Sequence, residues 1–152
     1  MAIWQFDFFL LPRVPFEARF GEAKIDLPRE SVLDDVDHWP DDEVAQAVLA
    51  DLAQVLPGMP GYWAAGYGKA WGDHDSNIIE VGLDAEHLQD IFVRVDIRRN
   101  HKDFVQAVIY LASRHDLLLF TEDDEALLPN EEAFFDVLYR SRAMRYVSDP
   151  HG

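Results

Sequence analysis

The 152-residue chain carries 13 Lys and Arg against 29 Asp and Glu, a formal net charge of −16, which argues against binding a phosphate backbone by general electrostatics. Cysteine is absent, so disulfide scaffolds, thiolate nucleophiles, iron–sulfur ligation and Cys-based zinc sites are excluded together. Hydrophobic residues still make up 49% of the chain, enough to build a core in one domain of this size and too many for a disordered acidic tail.

The first predicted element is a strand over residues 3–11. Trp4, Phe6, Phe8 and Leu10 share one face of it, and Gln5 and Asp7 the other. This segment lacks a basic leader and is interrupted by Asp7, so it reads as a strand and not as a signal peptide. Residues 12–39 are expected to be irregular or extended, with a short strand near 23–27. A helix is predicted after Trp39-Pro40. Asp41, Asp42 and Glu43 occupy its first turn, Val44, Val48, Leu52 and Val55 recur at helical spacing, and Pro57-Gly58 stops it.

Three strands follow, over residues 64–71, 77–83 and 88–98, separated by the turn residues Gly72-Asp73-His74-Asp75-Ser76 and by residues 84–87. They read as an antiparallel meander. In the last strand Ile91, Val93, Val95 and Ile97 point one way and Phe92, Arg94, Asp96 and Arg98 the other. A second helix over 101–114 has Asn100 as its predicted N-cap and Asp103 three residues on. Residues 117–121 read as a strand buried on both faces, 126–128 as a short return strand, and Pro129-Asn130 opens a third helix with Phe134, Phe135, Val137 and Leu138 inward. The C-terminal stretch reads as basic and then polar, with residues 148–152 a flexible tail. The resulting order, β-α-β-β-β-α-β-α, predicts a single α+β domain over residues 1–152. A mainly antiparallel sheet of about five strands would have its helices packed on one face.

Helices on one side leave the other side of the sheet open. The two-residue period places Tyr67, Lys69, Trp71, Glu80, Arg94, Asp96 and Arg98 there, beside Gln5 and Asp7. Lys69 is expected to face Glu80 across a hairpin, with Arg94 also in reach of Glu80. Such a strip suits a solvated, salt-bridged face; it also gathers the Tyr, Trp and Arg side chains that anchor recognition surfaces. Acidic residues are clustered. Residues 30–51 hold eight carboxylates, among them Asp34, Asp35, Asp37, Asp41, Asp42 and Glu43, with no Lys or Arg; residues 122–136 hold seven, beginning Glu122, Asp123, Asp124, Glu125, again without a base. Helix starts account for some of these, and solubility or the steering of a basic partner for the rest.

Few motifs point to chemistry. Asp73, His74 and Asp75 with Asn77 have the oxygen spacing that opens a calcium loop, but Ile78 stands where Gly is needed and Asp84 where the bidentate Glu belongs. A hairpin turn explains them better, so neither a metal nor a cofactor is predicted. The run Gly66-Tyr67-Gly68-Lys69 lacks phosphate-loop spacing, and no serine lies in a nucleophile elbow. Ser141, between Arg140 and Arg142, has the makings of an anion site, although a helix end explains the arginines. The sequence therefore predicts a non-enzymatic, acidic, cytoplasmic protein-binding domain. Its partner is expected to be a basic protein, as for an immunity or inhibitor protein against a nuclease-like toxin. Neither nucleic acid nor a membrane is expected as a partner, and the state is a monomer or a homodimer. The alternatives are an enzyme or small-anion binder using the polar face of strand 88–98, or a structural homodimer subunit.

Overall fold

The computed structural model describes residues 3–21, 39, 42–59, 68–73, 75–85 and 87–148. Eleven elements lie among them: β1 (Gln5–Pro12), α1 (Arg13–Phe20), α2 (Asp42–Leu52), β2 (Gly68–Gly72), β3 (Ile78–Asp84), β4 (His87–Asp96), α3 (Lys102–Arg114), β5 (Leu117–Thr121), β6 (Ala126–Leu127), α4 (Glu131–Tyr139) and α5 (Arg142–Ser148). The six strands form one antiparallel sheet in the order β2-β3-β4-β1-β5-β6, which makes the N-terminal strand central. The α+β class and the meander of β2, β3 and β4 are as the sequence predicts, with six strands instead of five.

Alternation sorts the strands onto two faces. Phe6, Phe8 and Leu10 of β1 join Ile79 and Val81 of β3, Ile91, Val93 and Val95 of β4 and Leu117 and Leu119 of β5 in the main core. Helices α2, α3, α4 and α5 contribute Val48 and Leu52, Val108 and Leu111, Phe134 and Leu138, and Ala143 to this core. Phe134 sets its ring edge-on against both Phe6 and Phe8, at 5.9 and 4.9 Å between centroids. Helix α1 departs from the one-sided arrangement. Its Phe16 and Phe20 pack with Leu11, Leu118, Phe120 and Ala126 on the opposite face, over the β1–β5–β6 half of the sheet. The region expected to be irregular thus begins with a helix, and the strand expected near 23–27 lies outside the described residues.

Two helix starts differ from expectation. Helix α3 begins after His101, whose backbone is helical and gives no side-chain cap; Asn100 does not serve. Helix α5 lies where the sequence suggests only a tail, and Ser141 starts it. Ser141 is buried, its hydroxyl donates to the Leu138 carbonyl at 2.6 Å and accepts the Met144 N–H at 3.2 Å, so it caps a helix in place of holding an anion. Asn130 does cap α4, accepting the Ala133 N–H at 2.9 Å. In α2, Ala45 and Leu49 turn inward with Val48 and Leu52, while Val44 stays partly exposed. Of the expected flexible tail only Ser148, the last residue of α5, is described.

Register corrects the polar strip. Lys69 pairs with Val81 and Trp71 with Ile79, so both point to the helix-covered face; it is Ala70 that sits opposite Glu80. Trp71 is buried in the main core and Lys69 is exposed at its edge. The small residues between them explain the choice of face: a Cβ on Gly68 would lie 2.1 Å from the Val81 carbonyl oxygen, and Gly72 has φ 103°. Substituting Trp71→Ala is therefore expected to destabilise by about 3–5 kcal/mol. Lys69→Ala should change stability by less than about 0.5 kcal/mol. Urea unfolding of the two variants checks this, and a larger loss at Lys69 would reverse the register.

Candidate functional site

The strip that the sequence singles out is built by β1, β3 and β4 on the face away from the main core. Asp7 of β1 stands opposite Arg94 of β4, and Ile78 of β3 flanks Arg94 on the other side. The Arg94 guanidinium donates to both Asp7 oxygens, at 2.9 and 3.4 Å, and lies 5.1 Å from the Phe92 ring centroid. One step along, Arg98 closes on Asp96 through Nε and Nη2, at 3.0 and 2.9 Å, and its backbone N–H donates to the same carboxylate. The outer side of that guanidinium stacks on Trp4, 4.1 Å from the ring centroid, and Nη2 also donates to the Asp75 carbonyl at 3.2 Å.

These contacts close the strip. Asp96 is completely buried, Asp7 is 5% exposed, and the Arg94 side chain keeps 22% of its surface. The open platform expected for Arg94, Asp96 and Arg98 is thus an internal one. Both arginines spend their charge on buried carboxylates, which rules them out as ready ligands for an external anion. Burial pushes the Asp96 carboxyl up, but hydrogen bonds and charge from Arg98, with the charge of Arg99, outweigh it and hold the group below its ordinary value. A carboxyl so depressed stabilises the fold above its unfolded-state pKa, and that contribution is lost as pH falls through the folded value. Asp96→Asn is expected to cost about 2–3 kcal/mol at neutral pH. The deficit should shrink on acidification, measured by urea titration across pH; a deficit unchanged in acid would contradict the ion pair.

Glu122 behaves in the opposite sense. Its carboxylate, half-buried at the end of β5, accepts the Asp7 N–H at 3.2 Å, while the Glu122 N–H donates to the Asp7 carbonyl. Burial, and then the negative charges of Asp7 and Asp123, push the Glu122 carboxyl up despite that hydrogen bond. A folded-state value above the unfolded one opposes folding once the group ionises, and the penalty vanishes below the unfolded pKa. Replacing Glu122 by Gln should raise the Tm by about 2–4 °C at neutral pH. No gain is expected near pH 3. Calorimetry at the two pH values decides it, and a neutral-pH loss would count against the assignment.

The other candidates separate. Asp73 accepts the Asp75 N–H at 2.8 Å and anchors the β2–β3 turn, and Asn77 turns inward to accept the Asp96 N–H. Among the described residues no three His, Asp or Glu side chains converge on a point that would hold a metal; His74, like Tyr67, lies outside them. Of the first acidic stretch, Asp42 and Glu43 are exposed in the first turn of α2, with Asp42 3.1 Å from His87 Nδ1. Asp34, Asp35, Asp37 and Asp41 fall outside the described residues. In the second stretch Asp123 is exposed, Asp124 takes a left-handed φ of 61° in the β5–β6 turn, and the Glu125 carbonyl closes that turn on the Thr121 N–H.

Periodicity alone misses a shallow groove beside this second stretch. Gln106, Tyr110 and Ser113 project from one side of α3 toward Pro129, Glu131 and Glu132 at the start of α4, around a space of about 400 Å³ floored by Ile109. Tyr110 is 70% exposed. The signal in the sequence is Tyr110 itself, an aromatic residue off the apolar stripe of its helix. Among the described residues no helix is long and apolar enough to cross a membrane. Comparison with protein families, curated proteins and solved structures finds no match to the chain.

Proposed function

We propose that the chain is a non-enzymatic, acidic protein-binding domain that docks a basic protein through the groove between α3 and α4. The observation that carries this reading is Tyr110, a large exposed aromatic side chain set beside Glu131 and Glu132 in a concave surface. Tyrosine supplies much contact area for little lost freedom, and is enriched at binding hot spots. The stretch from Glu122 to Asp136 contains no Lys or Arg, so its field attracts cationic surfaces and raises the rate of encounter.

An immunity- or inhibitor-type role against a nuclease is the specific form we favour, because a surface built to hold phosphates is cationic and complementary to this one. A cytoplasmic setting belongs to the same proposal, supported by a chain that uses no cysteine. The anion-orienting alternative on strand β4 has less support, since Asp7 and Asp96 already occupy Arg94 and Arg98.

The test is affinity capture from the native host, with the recovered basic protein then titrated against variants. Tyr110→Ala should weaken binding about 10–30-fold, mostly through faster dissociation. Glu131→Gln with Glu132→Gln should slow association at low salt and match the parent at high salt. Recovery of no basic partner at either salt, or equal binding by all variants, would overturn the proposal.

A further inference from the structure

A second concavity lies where β1 runs into α1. Pro12, Val14, Pro15, Trp39 and Val44 wall a cleft of about 370 Å³ that ends at His115 and Asp116, after α3. Its mouth is apolar: Val14 and Val44 rank among the large hydrophobic residues left exposed. Its charges are already matched. Arg13 grips Asp116 with Nε and Nη2 at 2.6 and 2.8 Å and also reaches Glu17, while the Arg13 N–H donates to the Asp116 carbonyl. The bidentate pair keeps Asp116 at a left-handed φ of 56° and fixes that end of the cleft.

His115 is held just as firmly. Its Nε2 lies 2.5 Å from Asp51 Oδ2 on α2, and its backbone N–H caps α3 on the Leu111 carbonyl. A proton on Nε2, given to that carboxylate, leaves Nδ1 as the acceptor of the neutral ring, and Nδ1 bonds no described residue. Trp39 is 8% exposed, and its Nε1–H is sealed from water without an acceptor. What this indole offers the cleft is therefore ring surface.

We propose that this cleft is a binding site for a small uncharged molecule, flat and mostly apolar, of one or two rings and with one hydrogen-bond donor for His115 Nδ1. The flat rings of Trp39 and the prolines favour a planar guest, and the volume suits a bicyclic one. Charged ligands are disfavoured because they would have to break the Arg13–Asp116 or His115–Asp51 pairs to find a partner.

Indole and 1-methylindole, nearly equal in shape but only the first with an N–H donor, separate the contributions. Each is titrated into isotope-labelled protein while the Trp39 Nε1–H and His115 ring resonances are followed. Indole should shift both saturably with a Kd of about 0.1–1 mM, and 1-methylindole should bind about 5–10-fold more weakly. His115→Phe should bring the two probes level. Val44→Trp, at a partly exposed position that leaves the core intact, should abolish both. Absence of saturable shifts, shifts that map away from the cleft, or equal binding of both probes to the unsubstituted protein would overturn the proposal.

Discussion

A carboxylate taken out of water must be answered by a cation or by several donors, and that constraint organises the second face of this sheet. Asp96 is wholly buried and Asp7 nearly so; Arg98 and Arg94 answer them from the adjoining strand and its end. The answers extend outward. Arg98 also holds the β2–β3 turn through the Asp75 carbonyl and rests on Trp4, Asn77 accepts from the Asp96 backbone, and Glu122 receives the Asp7 N–H across the β1–β5 ladder. Two ion pairs thereby tie three turns and the N-terminal residues to one edge of the strand ladder. An apolar pair would pack there as well, but would not direct those neighbouring donors and acceptors.

The same constraint divides the chain's charge. Arg94 and Arg98 are consumed inside, and Arg13 is held by Asp116 and Glu17. Carboxylates at the helix starts, among them Asp42, Glu43, Glu131 and Glu132, stay at the surface. The excess negative charge therefore projects from the ends of helices and not from the sheet, and the described concavities lie beside helices too. Recognition by a flat sheet face, the arrangement that simple alternation suggests, gives way to recognition between helices.

Much of the architecture is legible in the residues. Strict alternation in β1 and β4 and the doubly apolar β5 identify the central strands, and the stripes of α3 and α4 identify helices that must cover them. The failures share a cause: local pattern does not report what lies on the far side. In β2 the alternation of small and large residues is consistent with either face, and the main core's need for Trp71 decides it. Helix α1 is short and broken by Pro15 in the sequence, so its amphipathicity is weak, and only the exposed backs of Leu118 and Phe120 require a cover. The polar residues of β4 alternate as a solvated face would, yet they are matched by Asp7 and Trp4, some ninety residues away in the chain. Ser141 carries a signal that was there to be read, a capping hydroxyl ahead of Arg142-Ala143-Met144.

Side-chain proton exchange at the arginines tests the closed strip most directly. With Asp7 and Asp96 as permanent acceptors, the Nε–H groups of Arg94 and Arg98 should give sharp, slowly exchanging resonances at neutral pH, well separated from the exposed Arg140. Exchange as rapid as that of Arg140 would mean that the strip is open to water and that the sheet face, not the helix grooves, is the surface on which this protein acts.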